Sequence, residues 1–240
     1  MEKFSKKEAI KFGWEIAKKR IKFFVPLLIL VFGVSFIFNY LSGVTKKESS
    51  LVSFLLIIIN VVISAIFNLG LIKIYLKIYD GEEPKFSDLI SEYKLFFRYF
   101  IALIILVGLI FVSNFLFFII FRTIFSIRFG FYGSLIVYFL FFIILVILGI
   151  IFSIRFRFFG YLIVDKNSKI VESLKKSWQI TKGNTLNLFL FYFLLILINA
   201  LGALALGIGL LLTIPTTMLA NAFVYRKLSQ GLKVQNQEEI

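Results

Sequence analysis

The 240-residue chain contains no cysteine and no histidine. Thiol nucleophiles, disulfides, Cys/His zinc sites, histidine general bases and haem ligation are thereby excluded together. Acidic residues are scarce, 13 against 27 Lys and Arg, and they lie in interfacial or loop segments. The apolar runs therefore lack the buried charges on which proton relays, ion-coupled transporters and voltage sensors depend. Asp80, Glu82 and Glu83 are the densest acidic group, but Gly81 and Pro84 beside them mark a solvated turn. No catalytic residue, metal site or cofactor is expected, and the chain reads as a non-enzyme.

What is abundant is apolar: 60% hydrophobic residues, 18% aromatic and a mean hydropathy of +0.96. Soluble chains hold roughly 45 to 50% apolar residues, so this is an integral membrane protein. The clearest stretch is Leu186 to Tyr225, forty residues without a charge. A hydrocarbon core about 30 Å thick takes about 20 helical residues per crossing, so this stretch is a hairpin of two spans. Gly202, Gly207 and Gly209 place its turn at 202–209, and Pro215 is expected to kink the second span, with Thr213 or Thr216 satisfying freed carbonyls.

The same unit recurs along the chain. Residues 1–22 open with a capping box at Ser5 and Glu8, then carry Ile10, Trp14, Ala17 and Ile21 on one helical face and Lys11, Lys18, Lys19 and Lys22 on the other. Such a helix lies in the head-group plane. Spans follow at 23–41 and 51–72; the first is too long for a signal-peptide core and no small-residue cleavage site follows it, so it is expected to stay attached. From Ser87, Leu89, Tyr93, Phe96 and Phe100 repeat the spacing before a span ending near Phe121, a loop at Arg122 to Gly133, and a span from Ser134 to about Ile154. Leu174, Trp178, Thr181 and Thr185 repeat it again before the hairpin.

The expected fold is an all-α membrane protein: six transmembrane helices in three tandem hairpin repeats (5–79, 86–163, 170–228), each preceded by an amphipathic interfacial helix, with a polar cytoplasmic tail at 229–240. The segments 1–22, 73–98, 155–182 and 226–240 hold 23 Lys and Arg, and the other side holds Lys46, Lys47, Arg122 and Arg128. The positive-inside rule puts both termini in the cytoplasm at the plasma or inner membrane. It also accounts for the net charge of +14 without nucleic acid.

Asn60, Asn68, Asn114, Asn199 and Asn221 form either a polar path or inter-helix hydrogen bonds, the latter worth about 0.6 kcal/mol each. Trp14, Tyr93, Trp178 and Tyr225, interleaved with Lys and Arg, are expected to anchor at the interface beside anionic head groups. The expected role is non-enzymatic organisation of lipids, partner proteins or a homo-oligomer. The alternative is a transporter or channel for a small or amphiphilic solute.

One pattern goes further. Asp165, Glu172-Ser173-Leu174, Ser177, Thr181-Lys182-Gly183-Asn184, the glycine-rich turn 206–210, Pro215 and Phe223-Val224-Tyr225 resemble the C-terminal half of an uncharacterised bacterial integral-membrane family, domain of unknown function 975. Gly81-Glu82 and Phe86-Ser87-Asp88-Leu89 resemble the stretch after that family's second span. More distantly, the pattern is similar to the membrane domain fused to some glycerophosphodiester phosphodiesterases and to YciC-type inner-membrane proteins. The resemblance covers roughly residues 60–228 and implies six helices with no established activity.

Overall fold

A computed structural model describes residues 4–46 and 49–238, with side chains left out at 117, 120–138, 140, 141 and 232–238. The described chain is all-helical: α1 (Lys6–Lys19), α2 (Ile21–Thr45), α3 (Ser50–Tyr79), α4 (Asp88–Ser91), a 3₁₀ turn (Tyr93–Leu95), α5 (Phe96–Arg155), α6 (Phe159–Lys166), α7 (Ile170–Thr181), α8 (Thr185–Leu204) and α9 (Leu210–Glu238). Five stretches are long and apolar enough to cross a membrane: Ile21–Thr45, Ser50–Tyr79, Asp88–Leu116, Phe142–Lys166 and Thr185–Leu204. Only 11 to 22% of each apolar window is buried within the protein, so these helices present apolar faces outward. The surrounding solvent is lipid, and the chain is a multi-pass membrane protein.

The expected sixth span does not meet the same measure. α9 carries Thr213, Thr216, Thr217 and Asn221, all buried, and packs against α1, α2, α3, α7 and α8. A helix enclosed by other helices need not be apolar all round, which is why α9 is the least hydrophobic of the long helices. It passes through Pro215 without a break, with Thr216 Oγ1 donating to Leu212 O at 2.8 Å beside the proline. It also continues through the expected tail to Glu238.

Ser5 caps α1, its hydroxyl accepting from the Glu8 N–H at 3.3 Å. Ala9, Gly13 and Ala17 form a stripe of small residues that is buried on α9, and a Cβ on Gly13 would come within 2.2 Å of Thr216 O. This corrects the placing of Ala17 on the lipid-facing stripe: it belongs to the docking face, while Trp14 remains exposed. Asn187 at the start of α8 fixes the beginning of α1, accepting from Lys6 Nζ at 2.9 Å and donating to Phe4 O at 3.2 Å.

The second amphipathic stretch is not one helix. Lys77 pairs with Asp88 at 2.8 Å and Lys73 with Glu92 at 2.6 Å, drawing α4 back onto α3. At that crossing a Cβ on Gly70 would come within 1.9 Å of Leu89 O. Leu89 is consequently buried, whereas Tyr93, on the separate 3₁₀ turn, is exposed.

The segment Arg122 to Gly133, expected as a loop, is instead helical and belongs to α5 (Phe96–Arg155). The described stretches of α5 on either side of it, 96–116 and 142–155, run antiparallel. Ile110 and Phe152 line one cavity, Tyr99 stacks on Phe159 at 5.2 Å, and Arg98 donates to Asn167 Oδ1 at 2.6 Å. The hairpin turn between α8 and α9 falls at 205–209, inside the expected range, with Leu206 and Gly207 at positive φ.

Candidate functional site

The largest cluster of buried side chains gathers Phe24, Tyr75, Phe158, Tyr161, Phe191 and Tyr225, all near the basic ends of the helices. At its rim Asp165 on α6 receives three donors: Tyr225 OH at 2.8 Å, Arg226 Nη1 at 2.7 Å and Lys166 Nζ at 3.0 Å. The other arm of Arg226 pairs with Asp80, the residue that caps α3. Burial disfavours the Arg226 charge, but the hydrogen bonds and charges of Asp165 and Asp80 outweigh it and hold its pKa above the ordinary value. This clamp ties α3, α6 and α9 together. Tyr225 is therefore not an interfacial anchor: it is 0% exposed, because its hydroxyl finds a partner 60 residues away.

α5 ends at Arg155, and a three-residue turn, Phe156 to Phe158, precedes α6. Ser177 on α7 closes this break from both sides, donating to Arg155 O at 2.9 Å and accepting from the Phe158 N–H at 3.1 Å. Thr181 adds a bond to Arg155 O at 3.3 Å. The exposed Trp178 on the same helix lies under the Arg155 guanidinium at 5.0 Å and beside Phe156.

The middle residue of the break, Arg157, lines two cavities. One, of about 440 Å³, lies between α5, α8 and α9 and is lined also by Ser153, Tyr192, Asn199, Thr217 and Asn221. The other, of about 340 Å³, lies against α3 and includes Asn68, Tyr75 and Tyr99. Arg157 stands over the Tyr192 ring at 5.2 Å and has no carboxylate partner among the described residues.

The five asparagines separate accordingly. Asn199 donates to Thr217 Oγ1 at 3.3 Å and Asn221 to Thr217 O at 3.0 Å, so these two meet across α8 and α9. Their carbonyl oxygens are buried without a partner. Asn68 lies on the second cavity, Asn60 accepts from Ser64 on its own helix at 3.5 Å, and Asn114 donates to Ile110 O at 2.7 Å.

A third opening, of about 880 Å³, is a groove between α1 and the α8–α9 hairpin. Lys6, Lys7, Lys11 and Trp14 line one side of it, and Leu194, Ile198, Leu201 and Leu212 line the other. Gly202 and Gly209 let the hairpin close tightly there: a Cβ on Gly209 would come within 2.6 Å of Gly202 O. Thr213 also lines the groove; it is 8% exposed and its hydroxyl has no partner.

Sequence reasoning missed Arg157, the Asp165–Arg226–Asp80 clamp and the Ala9, Gly13, Ala17 stripe. The stripe's spacing was readable; the other two depend on contacts between distant segments.

No curated protein and no solved structure matches the chain. The family described as "Protein of unknown function (DUF975)" matches it over residues 3–231, nearly its whole length, so the chain belongs to that family.

Proposed function

We propose that this is a non-enzymatic membrane module that organises anionic lipids at the cytoplasmic face of the plasma or inner membrane. The observation that carries this reading is the groove beneath α1, an apolar channel whose α1 wall is basic and carries an exposed tryptophan. An anionic phospholipid has that same division. Its phosphate suits Lys7 and Lys11, each basic residue near a membrane surface contributing about 1 kcal/mol, and its acyl chain suits the wall of α8 and α9. In this reading α9 is a sixth span, enclosed by the others; the helices form three hairpin units, and both termini are cytoplasmic.

A second reading, passage of a small solute, draws on the convergence of Asn199 and Asn221 on one cavity. One experiment tests both. Single cysteines replace Asn199, Asn221, Lys46 and Lys166 in a chain that has no cysteine of its own, and a membrane-impermeant thiol reagent is applied to intact cells and to inverted vesicles. The lipid reading expects Lys46→Cys to react only in cells, Lys166→Cys only in vesicles, and the two asparagine positions in neither. Reaction at both asparagine positions would replace it with the solute reading.

A further inference from the structure

We infer that Arg157 is the binding residue for an oxyanion, the phosphate or carboxylate of a ligand that occupies the cavity between α5, α8 and α9. This site is separate from the groove beneath α1.

A guanidinium keeps its charge at any physiological pH and presents five donors in a planar fork that matches an oxyanion. The carboxylates of Asp80, Asp88, Glu92, Asp165 and Glu172 are each committed to a lysine or to Arg226. Arg157 has none; exposed at the end of α5, its partner is Tyr192, over whose ring it stands at 5.2 Å and whose hydroxyl it meets. It is also held in place. Ser177 and Thr181 fix the break that carries it, so its backbone is set independently of any ligand.

The cavity has a second mark of an occupant. Asn199 Oδ1 and Asn221 Oδ1 are buried and without partners, and Asn221 is 3% exposed. Buried polar atoms left unpaired are costly, so a ligand that pairs them is favoured. The Tyr192 hydroxyl is a donor beside the guanidinium and suits the same oxyanion. The two amide carbonyls are acceptors, which suit hydroxyl groups or waters on the ligand's inner side. An oxyanion of this kind can belong to a lipid head group or to a free solute, and the residues present fit either.

The purified protein would be reconstituted in nanodiscs of phosphatidylcholine and titrated calorimetrically with inorganic phosphate. A parallel set would use native mass spectrometry to measure retention of phosphatidylglycerol against phosphatidylcholine. Wild type is expected to bind one of these anions, and Arg157→Gln to weaken that binding about tenfold or more, the loss of a charge-assisted bond. Arg157→Lys should recover part of it. Tyr192→Phe, which keeps the ring and removes only the hydroxyl, should weaken binding in a protein whose fold is undisturbed.

Phosphate binding would identify a solute site, and retention of phosphatidylglycerol alone a lipid site; either supports the inference. Binding that is unchanged in both Arg157→Gln and Tyr192→Phe would overturn it, as would a wild type that binds neither anion. Lys7→Glu with Lys11→Glu serves as the control. It alters the groove beneath α1 and should leave the Arg157 site as it is, so failure of the lipid proposal and failure of this one are separately visible.

Discussion

Glycines distinguish close packing from lipid-facing positions residue by residue. Gly13 faces the α9 backbone, where a Cβ would meet Thr216 O at 2.2 Å, whereas Gly33 on α2 has nothing within 4 Å. Gly13→Ala is therefore expected to destabilise the protein by about 1 to 3 kcal/mol, the cost of overpacking. Gly33→Ala should be neutral or gain up to about 1 kcal/mol of helix propensity. Thermal unfolding of both variants in detergent checks the contrast; equal effects would contradict the docking of α1 on α9. Charge pairing obeys the same geometry. Lys73 and Lys77, at the end of a span, reach Glu92 and Asp88 at the two ends of α4, and no local pattern announces partners 19 and 11 residues away.

The break between α5 and α6 is the most informative of the elements. The sequence places the end of this span near Ile154, and α5 ends at Arg155, but nothing in it announces the second helix, Phe159–Lys166, that resumes three residues later. What ends α5 is the Ser177 hydroxyl, which satisfies a carbonyl on one side and an N–H on the other. Ser177→Ala leaves the buried Phe158 N–H unpaired and should cost about 1 to 3 kcal/mol. It should also loosen the Arg155–Trp178 contact, seen as a change in Trp178 fluorescence in a Trp14→Phe background. A stable variant with unchanged emission would show that the break forms without α7. The α8–α9 turn is the opposite case: Gly202, Gly207 and Gly209 mark it locally, and it was legible from the sequence. Several residues in the family-like pattern prove to be clamps: Ser177 and Thr181 tie α7 to the end of α5, and Tyr225 and Asp165 tie α9 to α6. Their identity was visible and their partners were not, because each bond joins segments 22 to 60 residues apart.

For the whole molecule, the sequence conveyed the solvent more fully than the architecture. Long uncharged runs led directly to lipid-facing helices, since about 20 apolar residues per crossing is a local property. α9 departs from that pattern because its polar residues face other helices, and enclosure is a property of the assembled bundle. The resulting body holds an aromatic core and an ionic clamp near its basic ends, with a cavity and a groove between its helices. That shape underlies the proposal that the protein holds lipid.

The most direct measurement uses Trp14, one of only two tryptophans and part of the groove wall. In a Trp178→Phe background its fluorescence would be followed in vesicles containing phosphatidylglycerol or phosphatidylcholine with brominated acyl chains, which quench on contact. The account predicts that brominated phosphatidylglycerol quenches Trp14 at a lower fraction of total lipid than brominated phosphatidylcholine. It also predicts that Lys7→Glu with Lys11→Glu removes the difference. Equal quenching by the two lipids in the unaltered groove would contradict it.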